Sequence, residues 1–187
     1  SSPTMSEIEL PEDALIPEPG TGLFNHAGKG KSARARITYR LVASAFQDNT
    51  RMTPADAAYA YSFAYRWGAR AGGRAAADPA VEAATAPLRQ ALVGFRVIKV
   101  DAEVKKHSDN TFTHIVPVID VYVSRRALDS NALAALAPPW SALPWPVLAL
   151  MDEAVKRGLA AFSPGEAKRR GVPWLDLARD AKTKAAL

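Results

Sequence analysis

Apolar and polar positions alternate along RITYRLVASAF, Arg36 to Phe46, with Ile37, Tyr39 and Leu41 set against Thr38 and Arg40. That period of two predicts a half-buried strand, and the polar QDNT after it predicts a turn. The period then changes. Thr53-Pro54-Ala55-Asp56 has the order a helix start requires: Thr as N-cap, Pro where its missing N–H costs nothing, and Asp where a carboxylate meets exposed amides. The helix is predicted from Pro54 to about Arg70, with Tyr61, Ala64, Tyr65 and Gly68 on one face and Gly72-Gly73 as its stop. Its aromatic residues Tyr59, Tyr61, Phe63, Tyr65 and Trp67 are expected to pack inside the domain.

Residues before and after this pair follow different rules. Residues 1 to about 33 mix Pro11, Pro17, Pro19, Gly20, Gly22, Gly28 and Gly30 with no apolar period, which predicts an extended arm that either wraps a partner surface or moves. Residues 34–187 form the domain proper. AADPAVEAATAPLRQALVG predicts a helical link broken by Pro79 and Pro87. GFRVIKVDAEV and TFTHIVPVIDVYV predict an antiparallel hairpin turning at KKHSDN, with Pro117 at an edge or a bulge.

A rigid Pro-Trp loop, APPWSALPWP, then leads into a helix near Pro146 and ending at Gly158. Val147, Leu150, Met151 and Ala154 are expected inward, with Asp152–Lys156 and Glu153–Arg157 as i,i+4 pairs on the exposed side. Ser163-Pro164-Gly165-Glu166 has the form of a capping box for a short basic helix closed by Gly171. Pro173 opens a last predicted helix that reaches Leu187 without a C-cap signal, the mark of a cut chain. The fold class is therefore α/β, mixed α+β, with a mixed sheet and flanking helices.

Composition narrows the chemistry. At 187 residues and 48% hydrophobic, the chain is large enough for one core. It has no cysteine, which excludes disulfides, thiolate nucleophiles and cysteine-ligated metals. The net charge of +5 is spread along the chain, and aromatic and basic residues do not interleave in a stripe, so nucleic acid is not an expected partner. No apolar run reaches the length of a membrane span, and the N-terminus lacks a basic-then-apolar signal.

Motif by motif, catalysis finds little support. Gly30-Lys31-Ser32 matches the end of a phosphate-binding loop, but Asn25 stands where its first glycine belongs and the preceding PEPGTGLF is no buried strand, so a solvated basic loop is expected. His26, His107 and His114 have no ligand spacing, so neither a metal nor another cofactor is expected. There is no G-x-S-x-G elbow, and Asp101, Glu103, Asp109 and Asp120 have the pattern of solubilising carboxylates on strands. The chain is not expected to be an enzyme. Trp140, Trp145 and Trp174 adjoin prolines, corners that either plug a core or stack on a ligand; Trp140 and Trp145 are the candidate ligand contacts.

Strand, polar turn, Thr-Pro-Ala-Asp and AAYAYSFAYRWG together resemble a segment of the family 5 extracellular solute-binding proteins, the oligopeptide and dipeptide receptors of ABC importers. Asp48-Asn49 stands near the family's Asp-Gly, Thr53 and Asp56 match its cap, and Tyr61-Ser62-Phe63 matches its aromatic step. Asn49 and Pro54 depart from the usual letters. The similarity covers about Arg36 to Val123 and implies one lobe, or a fragment, of a two-lobed periplasmic binding-protein fold. It implies a periplasmic location and non-covalent binding of a peptide or other small solute. Expected partners are a second polypeptide completing the two-lobed fold and the membrane subunits of an ABC importer. A structural subunit of a larger periplasmic assembly is the alternative.

Overall fold

The computed structural model describes residues 7–41, 53–72, 78–107, 110–126, 129–141 and 143–175. The QDNT turn, Asp109 and most of the last predicted helix lie outside them. Strands β1 (Ile8–Glu9), β2 (Leu15–Pro17), β3 (Phe24–His26), β4 (Ser32–Ala33) and β5 (Ala35–Arg40) precede helices α1 (Pro54–Gly68) and α2 (Pro79–Ala91). The hairpin β6 (Leu92–His107) and β7 (Asn110–Val123) follows, then α3 (Ser130–Ala134), α4 (Trp145–Lys156) and α5 (Pro164–Arg170). The expected α+β class holds.

The sheet runs β3-β2-β6-β7-β5, and each pairing is antiparallel, so it is not the mixed sheet expected. β5 and β6 run parallel to each other and are joined through α1 and α2, but β7 lies between them and pairs antiparallel with both, so no two neighbouring strands are parallel. Alternation along β7 gives the sheet two apolar faces. Ile119, Val121 and Val123 point with Phe95 toward Ala57, Tyr61, Ala64 and Tyr65 of α1, in the main core. Tyr122 points the opposite way and is covered by Leu10, Ala14, Ala27 and Ala33.

Those last four residues belong to the stretch expected to be an extended arm. From Glu7 on it is part of the body instead. Leu15 pairs with Phe95 on β6, β2 and β3 form a hairpin, and β1 pairs with β4 as a separate two-stranded sheet. The turn between β2 and β3 is bound to α1: the Gly20 N–H donates to the Tyr65 carbonyl (3.0 Å), and Arg66 Nε donates to the Thr21 carbonyl (2.7 Å). Gly22 has φ +69°, and a Cβ there would lie 2.3 Å from the Ser62 carbonyl oxygen, so only glycine lets this turn approach the helix.

Helix α1 starts as its sequence dictates. The Asp56 carboxylate accepts from the Thr53 N–H (2.7 Å) and its hydroxyl (3.1 Å), and Pro54 occupies the first turn. Helix α2 begins at Pro79 and carries Pro87 within it, so the two prolines that were expected to break this link are its first turn and an interior residue. Helix α4 is turned relative to its expected setting: Leu148, Met151, Asp152 and Val155 are buried, while Leu150 is exposed. After α5, Gly171 takes the left-handed conformation as predicted. Pro173 opens no helix among the described residues; Trp174 makes a parallel bridge with Ala161. No helix among the described residues is long and apolar enough to cross a membrane.

Candidate functional site

The Pro-Trp loop and the start of α4 place the two candidate tryptophans against two different tyrosines. Trp140 packs edge-on against Tyr39 of β5, ring centroids 5.4 Å apart, and Trp145 lies tilted on Tyr59 of α1 at 6.4 Å. Both indoles keep surface open to solvent, 42% for Trp140 and 39% for Trp145. The partner tyrosines are held in turn. Tyr39 donates to the Ala134 carbonyl (2.6 Å), and burial pushes its hydroxyl up to about 12. Tyr59 donates to Asp152 (2.9 Å), and its hydroxyl is raised first by burial and then by that carboxylate. Each pair presents a fixed, partly open aromatic surface suited to apolar or planar groups. Trp174, the third proline-flanked tryptophan, donates its Nε1 to the Phe162 carbonyl at 3.2 Å.

Trp145 is positioned through its backbone as well. Its N–H donates to Asp56 Oδ1 at 2.8 Å, so the carboxylate that caps α1 also holds the first residue of α4. Asp56 is 2% exposed, and this second role explains its burial. A similar link joins two other helix starts. Asp78, the N-cap of α2, accepts from the Ala80 and Val81 N–H groups and from the Ser163 hydroxyl, while Ser163 caps α5 by accepting from the Glu166 N–H. Beside this joint an open cleft of about 490 Å³ is lined by Pro79, Ala80, Pro164, Gly165, Glu166 and Arg169 among others. Glu166 is held at about 2, chiefly by hydrogen bonding from Arg169, with burial opposing and Arg170 assisting.

The densest polar cluster lies between α1 and α4. Asp152, 2% exposed, accepts from Trp67 Nε1 (2.5 Å), Tyr59 Oη (2.9 Å), Lys156 Nζ (2.8 Å) and Arg66. Burial pushes the Asp152 carboxyl up, but hydrogen bonds from Lys156, Trp67 and Tyr59 and the Arg66 charge outweigh it, leaving the group below the usual carboxylate range. The sequence shows Asp152 only as an exposed partner of Lys156. The pair exists, but the carboxylate points into α1 rather than into solvent, because three further donors lie 85 to 93 residues earlier. The aromatic, Arg and Trp positions of α1 are spaced correctly for one face, yet nothing local says which acid they meet.

Of the strand carboxylates described, two share one arginine and the third stands apart. Asp101 and Glu103 both pair with Arg40, and Asp120 accepts from Thr38 (2.6 Å). Gly30 and Lys31 lie between β3 and β4, Ser32 begins β4, and a strand rather than a helix follows. The described residues offer two anchored aromatic surfaces, a proline-walled cleft and a rigid helix joint. No known family model matches the chain, and no curated protein matches it.

Proposed function

We propose that this chain is a periplasmic solute-binding component of an ABC-type importer, one lobe of a receptor that holds a peptide or other small solute without covalent chemistry. The observation that carries the reading is the pair of half-open indoles, Trp140 on Tyr39 and Trp145 on Tyr59, fixed on a proline-rich segment. Proline removes backbone freedom and the tyrosines fix the rings, so little entropy is lost when a solute stacks there. The likeness of Arg36 to Val123 to the family 5 receptors supports the same assignment. In this reading a second polypeptide supplies the opposite wall of the cleft, and the importer's membrane subunits receive the loaded receptor.

The test is tryptophan emission during titration with di- to pentapeptides, on the particle as it purifies from its source. A saturable change that disappears in Trp140→Ala or Trp145→Ala supports the assignment. Emission that stays flat for every peptide class, or an unchanged response in both variants, overturns it. A second reading, a structural subunit of a larger periplasmic assembly, is favoured by the exposed valines of β6, Val97, Val100 and Val104.

A further inference from the structure

The hairpin β6–β7 outruns the sheet that supports it. β2 meets β6 only at Leu15–Phe95, and β5 leaves β7 at Arg40–Val118. From Lys99 onward the two strands continue as a ribbon, and the outer edge of β6 has no strand beside it among the described residues. Its side chains alternate cleanly. Val100 and Val104 are 52% and 63% exposed, while Lys99, Asp101 and Glu103 occupy the other face. A bulge between Val97 and Lys99 marks the inner end of this ribbon.

An open edge invites another strand, and charge decides which one fits. Consider a second copy of β6 laid antiparallel about a two-fold axis. With the axis on Val100, Lys99 lies opposite the partner copy's Asp101, and Asp101 opposite its Lys99. Moving the axis one residue either way sets Lys99 against Lys99 or Asp101 against Asp101. On the Val100 axis the four charges alternate in a ring, extending the Lys99–Asp101 pair already present within one chain at 2.8 Å. Val100 meets Val100 on the opposite face.

We infer that the chain self-associates by antiparallel pairing of β6 edges about Val100. An edge this short lies below the about 1,200 Å² of a stable interface, so association is weak and concentration-dependent. The inference is independent of solute binding: a monomer that binds peptide overturns it and leaves the receptor reading standing, and a dimer that binds none supports it and overturns that reading.

Cross-linking tests it directly, because the chain contains no cysteine of its own. Residues opposite one another in an antiparallel pair have Cα atoms roughly 4.5–5.5 Å apart, within disulfide reach. Val100→Cys should therefore give a covalent dimer under mild oxidation. Val104→Cys should not, since its two copies would stand about 26 Å apart. Sedimentation equilibrium supplies the second measurement. The mass should climb from 20.0 kDa toward twice that as concentration rises. Lys99→Asp, which sets carboxylate against carboxylate, should weaken association about tenfold, and Lys99→Asp with Asp101→Lys should restore it. Equal cross-linking of both cysteine variants, no cross-linking by Val100→Cys, or a constant mass up to about 1 mM overturns the inference.

Discussion

Replacing Asp152 by alanine removes the acceptor shared by Tyr59, Trp67, Arg66 and Lys156. The four donors are not equivalent. Lys156 is 42% exposed, so it turns to water at a cost under about 1 kcal/mol. Arg66 is only 20% exposed and Trp67 is buried, and both lose their partner where water reaches poorly. Removing one member of a buried charge pair costs about 3–5 kcal/mol, a large share of the about 5–15 kcal/mol that holds a domain folded. At about 2–4 °C per kcal/mol for a chain of this size, Tm should fall by about 10 °C. Urea denaturation with Lys156→Ala as the control checks this: the midpoint should drop strongly for Asp152→Ala and slightly for Lys156→Ala, with similar slopes. If Asp152→Ala loses no more than the control, the cluster is merely a surface ion pair and the reasoning fails. The pH dependence has a fixed sign. The folded carboxyl lies below its unfolded value, so its stabilisation is present above the unfolded pKa and is lost as pH falls through the folded one.

Two further outcomes are specific. All five tyrosines are raised, each first by burial, with Tyr39 at about 12. Absorbance at the phenolate band should therefore show little ionisation in the folded chain near pH 10, and stability should decline as pH rises past the unfolded value toward the folded one; half-ionised tyrosines at pH 10 before unfolding would contradict this. Gly22→Ala should destabilise by about 2–3 kcal/mol, through positive φ and the clash with the Ser62 carbonyl, measured as a lower urea midpoint. A neutral result would mean that the β2–β3 turn is not seated on α1.

What the sequence disclosed was local. Thr53, Pro54 and Asp56 specify the start of α1 within four positions, Ser163 and Glu166 specify α5, and alternation along β6 and β7 specifies the hairpin. The seating of residues 7–33 was invisible because β2 and β3 are three residues each, too short for a period, and their fixing contacts are to Phe95 and Tyr65. The rotation of α4 was hidden for a related reason: an acid at Asp152 scores as polar surface until Arg66 and Trp67 are brought to it. Trp140 and Trp145 were visible as proline-flanked aromatics, while their tyrosine supports were not.

The polar links between the helices have a kinetic meaning. Asp56 to Trp145 spans 89 residues, Asp78 to Ser163 spans 85, and Trp67 to Asp152 spans 85. Closing a loop of that length costs about 4 kcal/mol beyond a constant term, by (3/2)RT ln n. The three closures are staggered in parallel rather than nested, Asp56–Trp145, Trp67–Asp152 and Asp78–Ser163, so each one that forms leaves the next pair only about 7 to 11 residues along each chain segment from contact. The helical layer should then assemble in one concerted late step, after the local β6–β7 hairpin, and weakening any single link should speed unfolding of all three together.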